Sequence, residues 1–249
     1  MIKARVHSIE TMGLVDGPGI RTVVFMQGCK LRCAYCHNPD TWDIKGGEEI
    51  TVDELLNKVK RYKVYYKRSG GGVTLSGGDP LLQPEFVAEF FKRCKMEGIH
   101  TTLDTSGYGI GHYDEILKYT DLVLLDIKHI DDIEHKKLTG ANRHGFFEFL
   151  NAVKRNGTKL WIRHVVVPGI TDKDEHIRKL AEFINTIPNV EKVELLPYHL
   201  HGVNKYKEMN IPYRLEGVPA LEKERLRELL DVLNRTLKLT SDDKKEIAI

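Results

Sequence analysis

At 249 residues the chain is long enough for a full hydrophobic core, and for one domain or at most two small ones. Hydrophobic residues make up 41% and charged residues 30%, the composition of an ordinary soluble globular protein. Thirty-eight Lys and Arg against 36 Asp and Glu leave a formal net charge of +2, without the basic excess of a nucleic-acid binder, and no apolar run approaches the ~20 residues that span a bilayer.

The first ten residues mix Lys3, Arg5, His7 and Glu10 among apolar neighbours. They do not read as a signal peptide, so a cytoplasmic location is expected. Along the chain, strands are expected at Thr22–Gln27, Gly72–Ser76, Thr101–Thr105, Leu122–Ile127, Leu160–Val167 and Lys192–Leu196. Helices are expected between or after them, at Val52–Tyr66, Pro84–Glu97, Asp114–Tyr119, Phe146–Arg155, Asp174–Ile187 and Leu221–Lys238. In the second helix Phe86, Val87, Phe90, Phe91 and Cys94 recur at helical spacing, with Pro84 suited to the first turn and Gly98 to the C-terminal cap. Several strands are unbroken apolar runs such as 122–125, the pattern of parallel strands buried on both faces. Six β-then-α units argue for an α/β fold, either a barrel or an open doubly wound sheet. One domain over residues 1–249 is expected, with a charged, frayed tail from about 240.

Polar, reactive residues collect at or just after the strand ends. Cys29, Ser76–Asp79, Asp104 with Thr105, Asp126 with Lys128, Arg163 with His164, and Tyr198 with His199 follow one another in this way. In parallel α/β barrels the active site lies at the C-terminal ends of the strands, which favours a barrel-like site.

Four cysteines are present, and three fall within eight residues: Cys29, Cys33 and Cys36. Cys94 stands alone on an apolar helix face and reads as a small core residue. So tight a cluster in a reducing compartment indicates a metal or cofactor site rather than a disulfide framework. Three thiolates can hold three irons of a four-iron cluster and leave the fourth open to a substrate. A zinc site would need a fourth ligand, and His37 is awkwardly placed beside Cys36. The run Cys33-Ala-Tyr-Cys-His37 also matches the haem-attachment pattern, and packing without any ligand is the bland alternative. Gly70–Gly72 and Gly77–Gly78 could suggest a phosphate loop, but neither leads into Lys-Ser/Thr nor completes G-x-G-x-x-G.

The Cys-x3-Cys-x2-Cys spacing, with aromatic Tyr35 before the third cysteine, resembles the signature of the radical S-adenosylmethionine superfamily. Further stretches resemble its glycyl-radical-enzyme activases: Val15-Asp-Gly-Pro-Gly-Ile-Arg21, Cys36-His-Asn-Pro-Asp-Thr-Trp42, Val73-Thr-Leu-Ser-Gly-Gly-Asp-Pro80, Leu103-Asp-Thr-Ser-Gly107, 121–128, 161–168 and 194–199. The likeness runs from about His7 to about Tyr213. No extra cysteines of an inserted ferredoxin-like domain follow Cys36, which favours the branch whose partner is pyruvate formate-lyase.

The resemblance implies a partial (β/α)6 TIM-like barrel, open on one side so that a loop of a protein partner can enter. It implies a [4Fe-4S] cluster on Cys29, Cys33 and Cys36 and S-adenosylmethionine on its open iron. Cleavage to a 5′-deoxyadenosyl radical and removal of a hydrogen atom from a backbone glycine of the partner would follow. Tyr35, Asn38, Gly77, Gly78, Asp79, Asp104, Lys128, Arg163, Val165 and His199 are the implied cosubstrate contacts. In them Asp79 replaces the family's usual Glu. Asp104, Thr105, Asp126 and the Leu124 carbonyl are the implied site of a monovalent cation, Na+ or K+, and Asp16 is implied to hold the partner's peptide. A flavodoxin or ferredoxin is the implied reductant, and a monomer is expected. Plainer readings stay open here: Asp104 and Asp126 as loop caps or partners of Lys128, Asp16-Gly-Pro-Gly19 as a turn, His199 as a structural histidine. A radical enzyme acting on a small molecule and a non-catalytic iron–sulfur or zinc module are the competing functions.

Overall fold

The computed structural model of the chain describes residues 2–238, so the expected frayed tail lies outside the described residues. The strands are β1 (Lys3–Gly13), β2 (Arg21–Met26), β3 (Glu48–Thr51), β4 (Gly72–Gly77), β5 (His100–Thr105), β6 (Leu122–Asp126), β7 (Lys159–Val166) and β8 (Val190–Pro197). The helices are α1 (Val52–Lys60), α2 (Lys63–Ser69), α3 (Pro84–Met96), α4 (Tyr113–Leu117), α5 (Asp132–Thr139), α6 (His144–Asn156), α7 (Asp174–Ile184), α8 (Val203–Glu208) and α9 (Lys223–Thr236). Packing divides the chain into two compact units. One holds the segment up to Lys30, Thr41–Leu125 and His144–Lys159; the other holds Leu31–Asp40, Asp126–Arg143 and the chain from Leu160 onward.

In the first unit the strand order is β3-β1-β2-β4-β5-β6. β2, β4, β5 and β6 are parallel, as the unbroken apolar runs implied, while β1 is antiparallel to β2 and β3. Register places Val24, Leu75, Leu103 and Val123 in one row, and none of the four is exposed. Because side chains alternate along a strand, Thr74 and Ser76 on β4 and Thr102 and Asp104 on β5 fall on the opposite face. That face is polar.

Helix α3 starts at Pro84 and buries Phe86, Val87, Phe90, Phe91 and Cys94, the five residues read as its apolar face. The expected helix Val52–Tyr66 is instead two helices that part at Arg61 and Tyr62. Thr51 opens α1 with a capping box: its hydroxyl accepts from the Glu54 amide, and Glu54 reaches back to the Thr51 amide. The break before α2 brings Tyr66 to Thr22, to which its hydroxyl is hydrogen bonded.

In the second unit β7 and β8 pair in parallel, α7 packs on α9, and α9 packs on β8. Leu226, Leu229, Leu230 and Leu233 form the buried stripe of α9. A separate apolar cluster joins Ala34 and Tyr35 to Leu138, Val167, Tyr198 and Leu215, with Cys33 and Val165 packed against it. β1, β3, α5 and α8 have no counterpart among the expected elements. No helix among the described residues is long and apolar enough to cross a membrane.

Candidate active site

In the first unit the end of β2 runs into Gly28 and Cys29, which are held by a neighbouring turn. The Gly28 amide donates to Thr41 O at 2.7 Å and the Cys29 amide to Trp42 O at 3.3 Å. The Gly77–Gly78 pair at the end of β4 presses against this loop. A Cβ on Gly78 would stand 2.1 Å from Gly28 O, and one on Gly77 (φ +104°) 2.4 Å from Met26 N, so no side chain fits at either position. The polar face of β4 and β5 carries a hydrogen bond from Ser76 Oγ to Asp104 Oδ2 at 2.7 Å.

Asp79, an implied cosubstrate contact, is enclosed within its own unit. Its side chain has no exposure, and its carboxylate is enclosed by four donors. Thr105 Oγ1 (2.7 Å) and the Leu81 amide (3.1 Å) donate to Oδ1; Ser106 Oγ (2.7 Å) and the Ser106 amide (3.2 Å) donate to Oδ2. Burial pushes the carboxyl above its ordinary range, against the pull of those donors. Asp79 faces its own unit's interior and has no surface for a ligand.

A few residues before Arg21, the Asp16–Gly19 turn folds onto the same sheet. Arg21, fully buried, donates from Nη1 to Pro18 O (2.9 Å), from Nε to Thr74 Oγ1 (2.6 Å) and from Nη2 to Val73 O (2.7 Å). Thr74 Oγ1 in turn donates to Asp16 O at 2.6 Å. Desolvation lowers the Arg21 guanidinium to about 10, partly offset by Tyr66 and the Asp16 carboxylate.

In the second unit the loop with Cys33 and Cys36 is tied to α5. The Arg32 amide donates to Thr139 O (2.7 Å) and the Ala34 amide to Leu138 O (2.8 Å), while the Cys36 amide donates to Cys33 O (3.1 Å) in a tight turn. Tyr206 Oη donates to Cys36 O at 2.9 Å, and Lys205 Nζ holds Asn38 Oδ1 at 3.0 Å and Asp40 Oδ2 at 2.9 Å. His37 and His199 stack with ring centroids 4.0 Å apart, and the His201 ring lies 4.2 Å from His199, tilted by 40°.

Lys128 Nζ pairs with Asp126 Oδ2 at 2.7 Å and lies 5.6 Å from the centre of the Tyr35 ring. Burial opposes its charge, yet Asp126, Tyr35 and Cys33 hold the ammonium well above its ordinary range. Arg163 is similarly partnered, through Nε to Glu194 Oε2 at 3.0 Å, and Lys192 takes the other oxygen of Glu194 at 2.8 Å. Glu194, His37, Lys205, Tyr206 and Ser106 were not singled out as site residues from the sequence. His37, Ser106 and Glu194 lie inside the quoted motifs; Lys205 and Tyr206 gave no signal of their partners.

None of the four cysteines is in a disulfide. Among the described residues no three His, Cys, Asp or Glu side chains are drawn around one ion-sized point. Cysteines that bind separate irons of a cluster need no such convergence. Burial pushes the Cys33 thiol up to about 12, with the Lys128 ammonium acting to lower it. The Tyr35 hydroxyl is buried without a hydrogen-bond partner. Three closely spaced cysteines and an orphaned buried hydroxyl in one loop fit a bound group there.

Parallel βα units, with a cysteine loop after β2 and a Gly-Gly turn after β4, define an α/β protein. The chain matches the Radical SAM superfamily over residues 23–183, a stretch that runs through both units. The fold is shared with a radical SAM methyltransferase from Sphaerobacter thermophilus at a TM-score of 0.65 and 16% identity, covering 98% of this chain and 77% of that one. The pyruvate formate-lyase-activating enzyme of Clostridium pasteurianum is 60% identical over 95% of this chain and 100% of its own length. The pyruvate formate-lyase 1-activating enzyme of Escherichia coli (strain K12) is 48% identical over 93% of this chain and 95% of its own. The chain therefore belongs to the radical SAM superfamily and, within it, to the family of pyruvate formate-lyase-activating enzymes.

Proposed function

We propose that this chain activates pyruvate formate-lyase by generating a glycyl radical in it. Cys29, Cys33 and Cys36 would hold a [4Fe-4S] cluster, which when reduced supplies the electron that splits S-adenosylmethionine into methionine and a 5′-deoxyadenosyl radical. The single observation that supports the reading most is a set of three cysteines within eight residues, none of them in a disulfide, with the fourth cysteine of the sequence buried on α3.

Around that centre the chain's residues take distinct parts. Gly77 and Gly78 bring backbone against the base of the cysteine loop, where no side chain could stand. The Lys128 ammonium serves the methionine carboxylate, with Arg163 and Val165 beside it on β7. His199, backed by the His37 ring, offers a flat face to adenine, and Tyr35 and Asn38 complete that contact. Asp104, Thr105, Asp126 and the Leu124 carbonyl hold a monovalent cation, Na+ or K+. Asp16, in a turn fixed by Thr74 and Arg21, meets the partner's peptide. The chain works as one cytoplasmic radical SAM domain and as a monomer, with a flavodoxin or ferredoxin as its reductant.

Anaerobic reconstitution with iron and sulfide, followed by assay for 5′-deoxyadenosine, tests the cluster assignment. The parent chain yields 5′-deoxyadenosine and Cys33→Ala yields none and binds less iron. Undiminished product from Cys33→Ala would remove Cys33 from the ligand set.

A further inference from the structure

Asp79 holds one place in the molecule from which three local structures are fixed at once. Its amide donates to Gly28 O at 2.8 Å, at the base of the cysteine loop. Its carboxylate accepts from Thr105 and Ser106 at the end of β5, and from the Leu81 amide at the start of the following turn. Thr105 Oγ1 is in turn an acceptor for the Gly107 amide at 2.9 Å, so the clamp extends one residue further. Two hydroxyls and two amides use the acceptor capacity of a carboxylate, which is about four.

We infer that Asp79 is a positioning residue, which locks the end of β5 to the base of the cysteine loop, and that its carboxylate does not touch the amino group of the cosubstrate. Chain geometry explains why Asp stands here. Glu would carry the same two oxygens about 1.5 Å further out. In a site with no exposure that extra methylene runs into the Thr105–Ser106 turn. The amine is then left to backbone carbonyls and to groups other than residue 79. The consequence for the reaction is indirect: the clamp sets the placement of Asp104 and Thr105, and through them the affinity for S-adenosylmethionine.

This inference rests on the proposed use of S-adenosylmethionine, and its test separates the two. Asp79→Asn, Ser106→Ala, the double variant and Asp79→Glu are made in the full chain and reconstituted with iron and sulfide. Two quantities are measured: hydrogen exchange at the Ser106 and Gly107 amides, and the equilibrium dissociation constant for S-adenosylmethionine. Asp79→Asn and Ser106→Ala each speed exchange and each weaken binding by about tenfold. The double variant is within about twofold of Asp79→Asn alone, because both changes open the same clamp. Asp79→Glu restores neither protection nor affinity. Additive losses of about a hundredfold in the double variant, unchanged binding in Ser106→Ala, or full affinity in Asp79→Glu would each overturn the inference. If the parent chain bound no S-adenosylmethionine, the functional reading would fall, and the exchange data alone would still decide whether Asp79 forms the clamp. Should Asp79→Asn not fold, Ser106→Ala carries the test.

Discussion

Ser76 and Asp104 are joined across adjacent parallel strands by a 2.7 Å hydrogen bond, hydroxyl to carboxylate. The bond uses one of roughly four acceptor directions of the carboxylate and orients the rest. Asp104→Ala is accordingly expected to abolish the dependence of S-adenosylmethionine cleavage on Na+ and K+ while iron per chain stays constant. A cation titration of the parent and variant rates checks it. The parent's response in the variant would withdraw Asp104 from the cation site.

Lys128 and Asp126 give a second prediction. Both side chains are largely buried, at 12% and 22% exposure. Lys128→Met leaves the carboxylate without its ammonium and should cost about 1–3 kcal/mol in chemical denaturation. It should also weaken S-adenosylmethionine binding at least tenfold. Adding Asp126→Asn removes the orphaned charge and recovers stability, without recovering affinity. Full cosubstrate affinity in Lys128→Met would show that the lysine only balances Asp126.

A third prediction concerns acid. His164 is fully buried; its Nδ1 is bonded to Ile127 O at 2.6 Å and its Nε2 to His176 Nε2 at 3.2 Å, and the His129 and His176 ring centres are 4.5 Å apart. Burial first, then the neighbouring rings, lowers His164 to about 4 and His176 to about 2. An ordinary histidine titrates near 6.5, so between these values the unfolded chain binds more protons than the folded one. The neutral cluster therefore stabilises fully above pH 6.5, and that contribution is lost as pH falls toward 4. For His164 alone the loss amounts to roughly 3 kcal/mol over the whole span. Urea denaturation between pH 7.5 and 5 should show a falling limb that is shallower in His176→Phe. A flat profile in the parent chain would contradict the assignment.

What could be read in the sequence follows from locality. The six parallel-type strands announced themselves because runs such as Val123-Leu-Leu125 are buried on both faces. β1 did not, because Ser8, Glu10 and Thr11 break its alternation and its register with β2 shifts twice. α5 and α8, of 8 and 6 residues, are too short and too polar to show a periodic stripe. The break between α1 and α2 carries no Gly or Pro, and the bond from Tyr66 to Thr22 that accompanies it spans 44 residues. His135 stands among polar residues in the sequence yet is buried at 3% exposure, with Nδ1 at 2.9 Å from Ala141 O.

The same distinction holds for the site. Cys29, Cys33 and Cys36 are legible because their chemistry depends on spacing along the chain. The role of Asp79 depends on Thr105 and Ser106, 26 and 27 residues away, and only the fold brings these together. Arg163 was likewise read as a cation awaiting a carboxylate, whereas Glu194, 31 residues on, already pairs with it.

The central claim is tested most directly by electron paramagnetic resonance. The reduced, reconstituted chain is mixed anaerobically with S-adenosylmethionine and pyruvate formate-lyase, and the spectrum is recorded. A glycine-centred doublet, with 5′-deoxyadenosine formed in proportion, is the expected result. Formation of 5′-deoxyadenosine with no glycyl signal in this or any other glycyl radical enzyme would contradict the account.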